Sequence, residues 1–238
     1  MKLAGAFLRL IRYPNLIFIA ITQFLFYFCI LYPTAHPHIF FADEFSLLLL
    51  LVASSVSIAA GGYVINDYFD LSIDQVNKPG RIVVEKLIHR RWAIIWHWIF
   101  STAGVVMGFY ISFITRNWLI GFSNVLCVLL LWVYSTTFKK KLLSGNIIIS
   151  LLTAWVVLVV FFFVDYFPDT IIPGWEMPAA MDERAHRSIM RLAFLYGGFA
   201  FVISLIREVI KDMEDMEGDA RYGCKTMPVE WGVPVAKV

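Results

Sequence analysis

The chain has 238 residues, of which 60% are hydrophobic and 16% charged, against roughly 25% charged in an average soluble domain. Phe at 21 residues, Trp at 8 and a mean hydropathy of +0.73 exclude disordered, collagen-like and coiled-coil chains, each of which is polar or strictly periodic. A net charge of +2 gives nucleic acid no reason to bind, so a polytopic membrane protein remains, one whose charges act by position and not by sum.

A helix needs about 20 apolar residues to cross the hydrocarbon core. Six runs meet that length, at 14–33, 45–65, 92–115, 118–134, 145–164 and 188–206. Trp92, Trp118 and Tyr134 mark their ends, as expected of side chains that favour the interface. The first run is longer than a signal-peptide core and precedes Thr34-Ala35-His36-Pro37 instead of a small-residue cleavage site, so it reads as a retained anchor. Alternate connections hold 16 Lys and Arg on one side, and only Arg116, Arg184, Arg187 and Arg191 on the other. The positive-inside rule therefore predicts a cytoplasmic N-terminus and cytoplasmic second and fourth connections. The outer connections, 34–44 and 165–187, read as interfacial loops, with His36 and His38 in a solvated turn. Cys29, Cys127 and Cys224 are neither an even set nor a metal-type spacing, so neither a disulfide nor a zinc site is expected.

The predicted spans are nearly free of ionisable groups, with only His97 in the third and Arg191 near one end of the sixth. Ion-coupled transport usually requires such a group at mid-membrane. The acids gather elsewhere. Eight of the 18 Asp and Glu lie in two stretches that each follow a span, 66–74 and 212–219. If the second span continues as a helix, Asn66, Asp70 and Asp74 recur every fourth residue with Asp67 beside them, on one face. Asp212, Asp215 and Asp219 are spaced to fall on a second helical stripe. Carboxylates one turn apart, ~6 Å, repel by about 2–3 kcal/mol at an effective dielectric near 20. A hard divalent cation reverses that sign, and a donor set without Cys or His favours Mg²⁺ over zinc or copper. Basic residues follow each stripe, Lys78 and Arg81 after the first and Arg221 and Lys225 after the second. Metal and side-chain cations together describe a diphosphate site. Gly61 and Gly62, after Ala59 and Ala60, allow another helix close to the second span.

These residues resemble the UbiA-type family of intramembrane prenyltransferases. Its NxxxDxxxD signature is matched by Asn66, Asp70 and Asp74, and its DxxxD signature by Asp215 and Asp219. The surroundings are similar too: Asn77-Lys78-Pro79-Gly80-Arg81 after the first motif, Tyr134-Ser135 with Lys139-Lys140 after the fourth span, and Lys225-Thr226-Met227-Pro228 after the second motif. The resemblance implies an all-α transmembrane bundle, one domain over 1–238, with a central cavity capped by the acidic segments on the cytoplasmic face of a prokaryotic cell membrane. It implies Mg²⁺ held by Asn66, Asp67, Asp70, Asp74, Asp212, Asp215 and Asp219, with Asp70, Asp74, Asp215 and Asp219 carrying the catalysis. It further implies a polyprenyl diphosphate donor held by Asn66, Lys78, Arg81, Tyr134, Lys139, Lys140 and Lys211.

The acceptor implied is lipophilic or aromatic. The stretch 207–215 is most similar to the branch that prenylates geranylgeranylglyceryl phosphate, with a 4-hydroxybenzoate-type quinone precursor as the alternative. Arg12 and Asn15 suit an anionic group on either acceptor, or simply anchor and start the first span. A different class, a non-catalytic membrane protein binding divalent cations at its acidic stripes, fits less well because of the paired basic residues. Family members carry about nine spans of the ordinary length; six are legible here, so the expectation is a sequence lacking about three. Because the acids lie at the membrane surface, replacing Asp70 or Asp215 by alanine is expected to remove turnover and leave the fold intact.

Overall fold

The computed structural model describes residues 2–35, 42–80, 82–165 and 183–237. Among them the chain is almost wholly helical, with one isolated bridge between Val84 and Ile88. Helices α1 (Lys2–Leu10) and α2 (Tyr13–Phe26) are followed by a π-helical turn (Tyr27–Leu31) and α3 (Tyr32–Ala35). The long α4 (Ala42–Phe69) leads into the short α5 (Leu71–Asn77); α6 (Arg90–Thr115), α7 (Trp118–Thr136), α8 (Ser144–Asp165) and α9 (Glu183–Glu214) complete the bundle. Three short helices close the described chain, α10 (Met216–Arg221), α11 (Met227–Trp231) and α12 (Val233–Ala236).

Among the described residues six helices are long and apolar enough to cross a membrane, and they coincide with the six predicted runs. The main difference is the last, which runs from Arg187 to Glu214 where the sequence suggested an end near Ile206. Lipid offers backbone amides no partner, so a crossing segment forms its hydrogen bonds internally, as a helix does. The outward faces are apolar: Phe113, Phe122 and Ile203 are 64–65% exposed. Exposed apolar area of this kind belongs against lipid. The chain is an integral, multi-pass membrane protein.

Small residues and a few polar contacts hold the bundle where hydrophobicity cannot discriminate helix from lipid. A Cβ at Gly61 would stand 2.8 Å from Ser101 Oγ on α6, and one at Gly62 would stand 2.8 Å from the Leu131 side chain on α7. The close approach expected of this pair is therefore real, and it seats α4 against both neighbours. Deeper in the bundle Asn124 donates to Ser54 Oγ at 2.7 Å, and Ser54 donates to the Gly104 carbonyl at 2.8 Å, tying α7, α4 and α6. Gln23 donates to Ser55 Oγ and to the Val156 carbonyl, both at 3.0 Å, joining α2 to α4 and α8. His97, noted as an ionisable group within a span, is buried with Nδ1 3.0 Å from the Gly61 carbonyl. The predicted outer loops and their His36 and His38 lie outside the described residues, apart from fragments at their edges.

Candidate active site

Both acidic segments are built by the same device. Helix α4 stops at Phe69 and α5 starts at Leu71, with Asp70 between them at φ −85° and ψ −3°. Helix α9 stops at Glu214 and α10 starts at Met216, with Asp215 between them at φ −96° and ψ 4°. These dihedrals depart from the helical ψ near −42° and bend the axis. The i→i−4 hydrogen bonds nevertheless persist through both bends, from Asp70 N to the Asn66 carbonyl at 2.9 Å and from Asp215 N to the Lys211 carbonyl at 3.0 Å. The single stripe expected of Asp212, Asp215 and Asp219 is thus divided between two helices, with Asp219 on α10.

The two segments are clamped together by Asn77, at the end of α5. Its Nδ2 donates to the Asp215 carbonyl at 2.9 Å, and its Oδ1 accepts from Gly218 N at 2.7 Å. A Cβ at Gly218 would lie 2.4 Å from Asn77 Oδ1, so only glycine admits the clamp there. Asn77→Leu is expected to separate the segments and weaken Mg²⁺ binding by about tenfold or more, since supporting contacts to metal ligands typically carry 10–100-fold in affinity. Titration calorimetry with Mg²⁺ checks this, and unchanged affinity would show the clamp to be idle.

The acids are partnered by cations from several helices. Lys139, after α7, forms an ion pair with Asp70, whose Oδ2 also accepts from Asn66 Nδ2 at 2.6 Å. Lys78 reaches Asp215 at 2.6 Å, and Arg12 reaches Asp67 at 2.8 Å while lying over the Tyr63 ring. Asn146 on α8 donates to Asp212 at 2.8 Å. Asp70 is 4% exposed and Asp219 5%. This corrects the expectation that Asp70 lies at the membrane surface: its carboxylate is a buried partner of Lys139. Burial alone would lower the Lys139 pKa, but Asp70, Tyr134 and Asp74 outweigh it and hold the ammonium above the ordinary lysine value.

Asp74 and Asp219 form no salt bridge with a described residue. Burial pushes Asp74 up to about 6, with Asp70 adding to the shift and Lys139 and Lys78 opposing it. Asp219 also rises to about 6, through burial and the neighbouring Asp212 and Asp215, against the pull of Lys139. Both folded-state values lie above the unfolded value of 3.8, so through that window the folded chain binds more protons. The contribution of these two groups to stability therefore falls as pH rises from about 4 to about 6. Without metal, the melting temperature should drop across that window, and millimolar Mg²⁺ should raise it at about pH 7 but not at about pH 4.5. Equal Mg²⁺ stabilisation at both pH values would contradict the assignment of these carboxyls.

Among the described residues no three His, Cys, Asp or Glu side chains meet in a metal-binding cluster. The expected seven oxygen ligands are instead spread over both segments and their cation partners. The donor set still fits a hard cation. It contains only oxygens, and among the described residues Asp74 and Asp219 are free of salt bridges and the buried Asn66 Oδ1 has no hydrogen-bond partner.

Two cavities meet at this end of the bundle. A polar chamber of about 620 Å³ is lined by Asp67, Asp70, Asp74, Asp215, Lys78 and Lys139, among others. A more apolar cavity of about 370 Å³ runs between α2, α4, α7, α8 and α9, past Phe18, Leu131, Trp155 and Val159. Arg12, Asn15, Asn66 and Lys211 line both. Tyr134 is buried in the wall of the apolar cavity. Lys140 is exposed and lines neither; its carbonyl accepts from Lys225 N at 2.8 Å. Arg81 lies outside the described residues. Sequence reasoning did not single out the Asn77 clamp, Asn146, or Glu208, which is 6% exposed on the wall of the apolar cavity. The last was legible in principle: running the α9 acidic stripe back from Asp212 by four residues lands on it.

A polar chamber lined by carboxylates and cations thus meets an apolar cavity within a bundle of membrane-length helices. Residues 24–238 match the UbiA prenyltransferase family, and the chain belongs to it. Its relatives include digeranylgeranylglyceryl phosphate synthases. That of Methanothermobacter thermautotrophicus is 34% identical over 82% of this chain and 59% of the relative. That of Sulfolobus acidocaldarius is 31% identical over 95% of this chain and 70% of the relative. The chain thus spans about six-tenths of the length of several curated relatives it matches. A structure from a study of digeranylgeranylglyceryl phosphate synthase in membranes superposes with a TM-score of 0.66 at 26% identity, covering 98% of this chain and 70% of that one. A UbiA homologue from Archaeoglobus fulgidus, bound in its own structure to DMAPP and Mg²⁺, shares the fold with a TM-score of 0.59 at 20% identity, over 97% of this chain and 70% of that one.

Proposed function

We propose that this chain transfers a polyprenyl group from an allylic diphosphate to a glycerol-phosphate ether lipid. The observation that carries the reading is the junction of the two cavities: four residues, Arg12, Asn15, Asn66 and Lys211, line both. A prenyl diphosphate spanning that junction has its anionic head in the chamber and its tail in the apolar cavity, as its chemistry requires. Asn66, Asp70, Asp74, Asp215 and Asp219 would hold Mg²⁺, which when bound neutralises the diphosphate and the charge that grows on it as the allylic C–O bond breaks. Lys78 and Lys139 supply further positive charge to the same oxygens. The apolar walls, with Phe18 and Trp155, exclude water that would otherwise capture the allylic cation. Arg12 and Lys211 remain at the junction to meet a second anionic group, that of the acceptor. The names of the relatives support a glycerol-phosphate acceptor.

The acidic segments face the cytoplasm in this reading, the side the Lys and Arg asymmetry predicts. Single cysteines at the exposed positions Ser72 and Ala220 should resist an impermeant thiol reagent in sealed cells and react once the inner face is opened; labelling from outside would reverse the topology.

The function is tested by presenting labelled geranylgeranyl diphosphate with geranylgeranylglyceryl phosphate or with 4-hydroxybenzoate, with and without Mg²⁺. Mg²⁺-dependent ether formation with the glycerol phosphate supports the proposal. Product with the aromatic acid alone moves the chain to a quinone-type branch. Mg²⁺ binding with no transfer to either acceptor would leave a cation-binding membrane protein.

A further inference from the structure

Glu208 is a buried carboxylate that donor binding does not use. It projects from α9 into the wall of the apolar cavity, and Lys211, one turn on, is 3.5 Å away, at the outer limit of a hydrogen bond. A carboxylate taken from water without a close partner is costly, so a chain that keeps one has a use for it or a strong compensation. Lys211 lies at the junction of the two cavities, which places Glu208 one turn below the junction on the tail side. If the diphosphate occupies the chamber and the tail the cavity, the carbon losing the diphosphate lies at that junction. The acceptor must approach it there.

Resting on the proposed function, we propose that Glu208 is the proton acceptor for the nucleophile. The allylic C–O bond breaks with its electron pair leaving on the diphosphate. An oxygen lone pair of the acceptor hydroxyl forms the new C–O bond, and the hydroxyl proton passes to the Glu208 carboxylate. The charged and titratable groups around it are Tyr134 and Cys127 from α7, Tyr63 from α4, Arg12 just before α2, and Lys211, Asp212 and Arg207 on α9 itself; the wall residues contributed by α8 carry no ionisable side chain. Lys211 therefore offsets the charge of Glu208 before the reaction, while Arg12 and Lys211 stay available to the acceptor's phosphate.

Glu208→Gln keeps the size and a hydrogen-bond acceptor for Lys211 but cannot take the proton. With geranylgeranyl diphosphate and geranylgeranylglyceryl phosphate, its turnover should fall about 10²–10⁴-fold. Affinity for an unreactive thio-analogue of the donor, measured with Mg²⁺, should stay within about threefold. Glu208→Ala leaves a space, and millimolar formate should restore part of its turnover if the missing element is a proton acceptor. Turnover of Glu208→Gln within a few-fold of the parent would overturn the inference. So would a loss of turnover matched by an equal rise in the KM for geranylgeranylglyceryl phosphate, which would make Glu208 a support for Lys211, and so would a failure of formate to rescue a Glu208→Ala protein that retains the parent's melting temperature. No product from the unaltered chain would overturn the proposed function itself, whereas product with an indifferent Glu208 variant removes only this inference.

Discussion

Asp70→Asn and Asp215→Asn are each expected to lower prenyl transfer by at least about 10²-fold, the scale on which a single preorganised electrostatic group acts. The choice of asparagine matters. Asp70 is held by Lys139 and by Asn66 at 2.6 Å, and is 4% exposed. Alanine there would leave Lys139 without its partner, and breaking a buried pair by deleting one member costs about 3–5 kcal/mol. Asparagine keeps an oxygen for both donors and removes the charge that a cation needs. The melting temperature should therefore separate the variants: Asp70→Ala falls markedly, Asp70→Asn much less, and both lose turnover. Asp215 is more accessible and is paired with the partly exposed Lys78, so Asp215→Ala should cost less stability than Asp70→Ala. Turnover within a few-fold of the parent in both asparagine variants would remove the diphosphate site from this end of the bundle.

Lys139→Met should have the second-largest effect, and in two directions. The side chain interacts with Asp70 and Asp74 of the first segment, Asp212 and Asp219 of the second, and Tyr134, and lines the polar chamber, so it serves both acidic segments. Its loss leaves Asp70 uncompensated and removes the charge-assisted contact that the proposed function gives the diphosphate. Donor affinity should fall by at least about tenfold, since a hydrogen bond to a charged group contributes roughly 1.5–3 kcal/mol. Mg²⁺ bound without donor should hold more tightly than in the parent, because an extra negative charge then faces the cation. Calorimetric titration of each ligand alone distinguishes these effects. Lys78→Met, whose side chain is more exposed at 27%, should show the same pattern with a smaller loss. Weaker Mg²⁺ binding in Lys139→Met would mean that this lysine supports the carboxylates instead of competing for them.

The six membrane helices and both acidic motifs were legible in the chain because their causes are local. An apolar run of spanning length must hydrogen-bond internally in lipid, and a four-residue spacing puts carboxylates on one face whatever surrounds the helix. Gly61 and Gly62 could be read as sites of close approach, although which helices approach could not. The bends at Asp70 and Asp215 were not legible. Nothing in 212–219 distinguishes a continuous helix from two helices meeting at an aspartate, and only docking of α10 against α5 decides it.

Sequence by itself determined the class of the molecule: a multi-pass helical protein, with its carboxylates and cations collected at one end and an apolar interior behind them. The tertiary structure decided the pairings. Lys139 meets Asp70 across 69 residues of sequence, Lys78 meets Asp215 across 137, and Gly218 donates to Asn77 across 141. Each of these contacts depends on which helices pack and at what height. In a membrane that choice falls to small residues and buried polar groups spread over several helices, since hydropathy cannot tell a neighbouring helix from lipid. The same packing brings Glu208 to the wall of the cavity, one turn below Lys211 and away from the other acids of its stripe in sequence.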